Sequence, residues 1–157
     1  MIRIAQYRGI STVSKVIKWQ TWGTYSHTAI LLEDDRIVEA WEGTKNVRVI
    51  KSLSDGHTPG TVVDLFVIPT TPVQERIYRN FIEKQIGCDY DFWGIAAFML
   101  RSNVSKPGSW FCSEVQAAAC IQADVPLFSE RVPAYKVSPE LTTRSPLPRQ
   151  YNSIVTS

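Results

Sequence analysis

Residues 26–42, SHTAILLEDDRIVEAWE, decide the fold. TAILL and IVEAW are aliphatic and β-branched runs suited to buried strands, and EDDR between them is a polar turn. The stretch reads as a β-hairpin with strands at 26–32 and 37–42. It also carries two residues that an inert hairpin does not need. His27 opens the first strand, and Glu39 lies among the apolar residues of the second. An ionised carboxylate in such a place is costly unless it is paired.

On either side of this hairpin, IRIAQY (2–7), NVRVI (46–50) and TVVDLFVI (61–68) read as further strands. SLSDGHTPG (52–60) is dense in turn residues and reads as a loop, with His57 in a solvated turn. Ser11 caps a short helix to about Trp19, with Val13, Val16 and Ile17 on one face and Lys15 and Lys18 off it. A longer helix begins at TTPVQ: Thr71 is the cap, Pro72 takes the first helical position and Gln74 completes a capping box. Its apolar face is predicted from Val73, Ile77, Phe81 and Ile86, with Tyr78 and Ile82 beside them, and Gly87 ends it. Two more helices are predicted over about 91–102, capped by Asp91, and about 112–123. From about Pro126 the chain is proline-rich and reads as an irregular wrap, with a short strand near AYKV and one turn after Pro139. An early helix, then antiparallel strands, then helices indicates an α+β protein, here a single domain over 1–157.

Composition excludes several classes. With 44% apolar and 20% charged residues the chain is that of a globular protein. A net charge of +2 with no basic stripe gives no reason to expect nucleic acid. The richest apolar run, FWGIAAFML (92–100), is about half the roughly 18 residues that cross a bilayer, so no integral membrane segment is expected. MIRIAQYRGI lacks the apolar core of a signal peptide, which makes the cytoplasm the default compartment. Cys88, Cys112 and Cys120 cannot all pair, and Cys112 and Cys120 on one helix lie about 12 Å apart along its axis, too far for a disulfide. None of the close paired spacings of zinc sites is present, so no metal or other cofactor is expected.

The chemistry centres on SWFCSEVQAAAC (109–120). Gly108 and Ser109 read as breaker and cap, which puts Cys112 at a helix start, where unpaired amides and the helix dipole favour a thiolate. The same amides suit the oxyanion of a tetrahedral intermediate. Cys120, in mid-helix among alanines, reads as packing, and Cys88 as structural. A thiolate nucleophile needs an imidazole, and His27 is the better placed of the two histidines; on its own, a histidine at a strand end is more often a structural residue, and the helix-start cysteine shifts the balance toward function. A third group must orient the imidazole. Glu39 is preferred, because opposed and diagonal side chains of antiparallel neighbours are within reach, and Glu42 is the alternative.

YSHTAILL, IVEAWEG, GCDYDFWG, WFCSEVQAAA and KVSPELTTRSP, in that order, resemble the circularly permuted papain-fold cysteine hydrolases, the YiiX-like relatives of the NlpC-type murein peptidases. The resemblance runs from about residue 8 to residue 146. It implies a small antiparallel β-barrel packed on the Cys112 helix, with Cys112 as nucleophile, His27 as general base and then acid, and Glu39 as the orienting residue. It also implies a cleft tyrosine at Tyr90; Tyr25 and Trp110 flank the reacting residues in sequence and are candidate cleft residues. Many members carry a secretion signal, and none is expected from MIRIAQYRGI. The expected activity is hydrolysis of a peptide or murein-type isopeptide bond. An acyl lipid handled at the same site and a catalytically silent binding module are the alternatives.

Overall fold

The computed structural model describes residues 1–90, 109–130 and 132–157. The helix expected over about 91–102 and its Asp91 cap lie outside them. In chain order the elements are β1 (Ile2–Arg8), α1 (Thr12–Thr21), β2 (His27–Leu31), β3 (Ile37–Trp41), β4 (Asn46–Ile50), β5 (Val62–Ile68), α2 (Pro72–Gln85), β6 (Asp89–Tyr90), β7 (Ser109–Trp110), α3 (Cys112–Gln122), a 3-10 turn (Ala134–Lys136), α4 (Pro139–Arg144) and β8 (Arg149–Val155).

The eight strands form one sheet in the order β7-β6-β4-β3-β2-β1-β5-β8. All neighbours are antiparallel except β6 and β7, which run parallel. The α+β class and the antiparallel sheet against helices are therefore present. The barrel is not: among the described residues the sheet stays open, with β7 and β8 at its edges.

Side-chain alternation splits the interior in two. One face of the sheet presents Ile4, Ile30, Val38, Val47, Phe66 and Ile68, which pack with Tyr78 and Ile82 of α2 and Val115 and Ala119 of α3. The other buries a smaller cluster that includes Ala5, Tyr7, Ala29, Ile37, Val63 and Leu65. The α2 cap is as expected, Thr71 and Gln74 exchanging hydrogen bonds. Its buried stripe is narrower than the apolar pattern suggested: Tyr78 and Ile82 are buried, while Val73 and Ile77 are exposed.

The tail differs most from expectation. AYKV forms the 3-10 turn rather than a strand, held by Lys136 and Val137 amides bonding back to Pro133 and Ala134. The irregular wrap ends in β8, a seven-residue strand along β5. Burial along β8 gives no warning of it, because the strand lies on the sheet edge with most of its side chains exposed. Its anchor is Asp64, a fully buried carboxylate of β5 that accepts from Ser153 Oγ (2.6 Å), Gln150 Nε2 (3.1 Å), Tyr25 Oη (2.7 Å) and Arg8 Nε (2.8 Å). Those donors, with hydrogen bonds outweighing the cost of burial, hold the Asp64 carboxyl below its usual range.

Candidate active site

His27 is the first residue of β2 and Glu39 the third of β3. The two strands pair through Ile30–Val38 and Leu31–Ile37. Continued towards His27, that register sets Glu39 diagonal to it on the same face of the sheet. The diagonal is closed by a hydrogen bond of 2.7 Å from His27 Nε2 to Glu39 Oε2. Glu39 is completely buried. Of the two carboxylates considered, it is the one that meets the imidazole; Glu42 lines the cavity beside them.

Cys112 opens α3 and is buried at its first turn. The N-cap position is Phe111 rather than Ser109, which belongs to β7. Phenylalanine has no side-chain acceptor, and the end is closed from inside the helix: Glu114 reaches back to accept from the Phe111 amide at 3.4 Å. Cys112 and His27 line one cavity of about 200 Å³, and the Cys112 sulfur lies near enough to favour the charged form of His27. With Nε2 held by Glu39, Nδ1 is the ring nitrogen left for the sulfur. Burial works against a charged His27, but Cys112 and Glu39 together outweigh it and raise its pKa to about 10. Burial likewise opposes the Glu39 charge, and His27 and His57 overcome it, holding the carboxyl far below the usual range.

Two members of the site were missed by sequence reasoning. His57 is not a solvated turn residue. The 52–60 loop folds back over the sheet, and the His57 ring stacks on Tyr7 with centroids 4.0 Å apart, its side chain only 6% exposed. Its Nε2 lies 3.2 Å from the same Glu39 Oε2 that holds His27. Burial, ahead of the opposing pull of Glu39, lowers the His57 pKa. Arg48 is the second. It stands opposite Glu39 in the β3–β4 register and donates to Oε1 through Nε (2.9 Å) and Nη2 (2.6 Å). Its guanidinium also lies 4.5 Å from the Trp41 ring. Gly56 lets the loop approach it: the backbone there is left-handed (φ 81°), and an added Cβ would come within 2.8 Å of Arg48 Nη2. A charged residue alternating within NVRVI, directly across from Glu39, was the signal available in the sequence.

The candidate cleft residues divide. Tyr90 is buried and lines the cavity. Tyr25 does not line it; its hydroxyl donates to Asp64 and its ring meets Phe66 edge-on. Trp110 does not either; its indole donates to Gln85 Oε1 at 2.9 Å and packs against Phe81. Both are drawn away by partners on the core side of the sheet. Cys120 is buried, which pushes its thiol pKa up, and Cys88 packs at the core's edge with its thiol 3.7 Å from Gln85 Oε1. All three cysteines are free thiols.

His27, Glu39 and His57 each offer a ligand atom, and these atoms lie within 4.8 Å of one another. Two imidazole nitrogens and a carboxylate oxygen suit zinc and other first-row divalent ions, so the donor types fit such an ion. A metal there would replace both histidine–Glu39 hydrogen bonds and would compete with the proton that His27 holds.

An open antiparallel sheet with a buried Cys–His–Glu grouping at the start of a helix defines the class of structure to which the chain is comparable. No family model matches the sequence, and no curated protein does. Among solved structures it is similar to yiiX from Escherichia coli O157:H7, described as a metalloprotein of DUF1105, with a TM-score of 0.67 at 16% identity, over 96% of this chain and 95% of that one. The likeness shows a YiiX-like fold. No helix among the described residues is long and apolar enough to cross a membrane.

Proposed function

We propose that the protein is a thiol hydrolase of the permuted papain-like class, acting on an amide or related acyl bond. The observation that carries this reading is His27, held by Glu39 through one ring nitrogen and lining one cavity with Cys112. In the proposed reaction His27 stands as the imidazolium beside the Cys112 thiolate, and the sulfur attacks the substrate carbonyl carbon. The tetrahedral oxyanion lies at the N-terminus of α3, where the helix dipole favours negative charge. The oxyanion collapses, His27 protonates the leaving group, and a thioester to Cys112 remains. A water molecule then gives a proton to neutral His27, attacks the thioester and releases the acid, which restores the Cys112 thiolate beside the His27 imidazolium. Glu39 stabilises the imidazolium and stays ionised throughout. A peptide or murein-type isopeptide is the substrate class we favour; an acyl lipid is the alternative at the same atoms.

The test is mass-spectrometric mapping of alkylation rates against pH in the intact protein and in His27→Ala. Cys112 is expected to react fastest of the three cysteines near neutral pH, and to lose that advantage in the variant. Equal rates at Cys112, Cys88 and Cys120 would instead favour a silent binding module. Substrate class then follows from parallel assays on muropeptides and short-chain acyl lipids.

The His27–Glu39–His57 grouping favours a second reading, a divalent metal centre that would use these same residues as ligands. Zinc titration of the metal-free protein separates the two. The hydrolase reading expects no stoichiometric binding. The metal reading expects one equivalent, abolished in His57→Phe.

A further inference from the structure

α1 is built the wrong way round for a surface helix. In a helix packed on a core, the apolar stripe faces inward. Here the sequence puts Val13, Val16 and Ile17 on one face, yet no residue of α1 is buried. Val13, Val16, Trp19 and Trp22, spaced three apart, are 44, 42, 72 and 79% exposed. The half-buried side is instead Ser14, Ile17, Lys18, Gln20 and Thr21. Gly9 sets this orientation, because a Cβ there would collide with Ser14 Oγ and Ser26 Oγ at 2.2 and 2.5 Å, so Ser14 and not an apolar residue meets the sheet.

Two details show that the display is held in place. Trp22 closes the helix in the left-handed region at φ 50°, which is unfavourable for a bulky side chain. Arg144 of α4 binds the Trp22 carbonyl at 3.3 Å, and Glu140 accepts from the Thr24 amide at 2.7 Å, fixing the turn that carries the ring. Charge adds to this. Between Ile10 and Ser26 the chain has Lys15 and Lys18 and no carboxylate, while Arg144 beside Trp22 is paired with Glu140. The stripe is also continuous with the cavity: Ile10 and Val13 are exposed and, with Ile17, line the space that reaches Cys112.

We infer that α1 is a docking surface for an anionic lipid bilayer, which it meets with Val13, Val16, Trp19 and Trp22, while Lys15, exposed beside the stripe, and Lys18, on its half-buried flank, supply the positive charge. Tryptophan suits the interface because one end of the ring is apolar and the other takes a hydrogen bond. Basic side chains flanking an apolar stripe add attraction to anionic lipid. The cavity mouth then opens at the bilayer surface. Docking needs none of the thiol chemistry, so it stands or falls apart from the hydrolase reading.

The test is co-sedimentation with vesicles of phosphatidylcholine alone and of phosphatidylcholine with phosphatidylglycerol, using the intact chain and Cys112→Ala. Both proteins are expected to bind the anionic vesicles, with a blue shift of tryptophan emission. Trp19→Ala/Trp22→Ala is expected to bind at least about tenfold more weakly. Lys15→Gln/Lys18→Gln should lose about fivefold per lysine, on anionic vesicles only. Thermal melts like that of the parent protein establish that these surface variants fold. The inference is overturned if the parent protein ignores anionic vesicles, if the tryptophan variant binds them equally well, or if sedimentation reveals a dimer that the tryptophan variant dissociates.

Discussion

Arg48 grips one oxygen of Glu39 with two nitrogens, leaving the other oxygen to the two histidines. The carboxylate is fully buried, and its partners make that tolerable. Arg48→Met keeps much of the volume and removes the cation. The expected loss is about 3–5 kcal/mol in urea unfolding, as for other buried pairs broken on one side. A loss below about 1 kcal/mol, within the range of surface pairs, would show that the pair is not the brace described here.

His27 and Cys112 are expected to behave as a unit. His27→Ala should slow Cys112 alkylation near neutral pH, and turnover of any substrate should fall by about 10²–10⁴-fold, the usual contribution of a general base. Cys112→Ser should retain the fold and lose turnover. Turnover that survives Cys112→Ser would remove the thiol from the reaction.

His57 donates to a carboxylate already held by His27 and Arg48, so its expected role is to position Glu39. His57→Phe preserves stacking on Tyr7 and deletes the hydrogen bond. Stability should fall by about 1–3 kcal/mol, the range for a hydrogen bond to a charged group. The pH profile of Cys112 alkylation should shift with it, whereas a residue that only packs would leave that profile in place.

The same three groups set the pH dependence of stability. His27 has a raised pKa in the folded state, so its contribution is complete below 6.5, the ordinary imidazole value, and is lost as the pH rises through about 10. Glu39 and His57 have lowered pKa values, so their contributions are present above 4.5 and 6.5 and are lost on acidification. Thermal melts should therefore be highest near pH 6.5, with a limb on each side. His57→Phe should flatten the acid limb between 6.5 and 4.5 and leave the alkaline limb intact.

The hairpin, the α2 cap and the placement of Cys112 at a helix start were legible because each depends on neighbours in sequence: strand runs around a turn, and Thr71 with Gln74 three residues on. The Glu39–His27 contact was legible because burying a carboxylate demands a partner. His57 was not, because a run of turn residues says that a chain bends and not where the bend comes to rest. The outward turn of Val13 and Val16 was not legible for a similar reason: periodicity defines a stripe, and the direction it faces depends on packing such as the close approach of Ser14 that Gly9 permits. β8 escaped notice because an edge strand with exposed side chains carries little hydrophobic signal.

Asp64 ties the two chain ends into one polar knot, with Arg8 from the first strand and Ser153 and Gln150 from the last. A shortened version that stops before Arg149 would take away two donors and uncover the flank of β5. Such a trimmed product should accumulate in inclusion bodies, so purification handles belong beyond Ser157 or ahead of Met1 and never in place of the final strand.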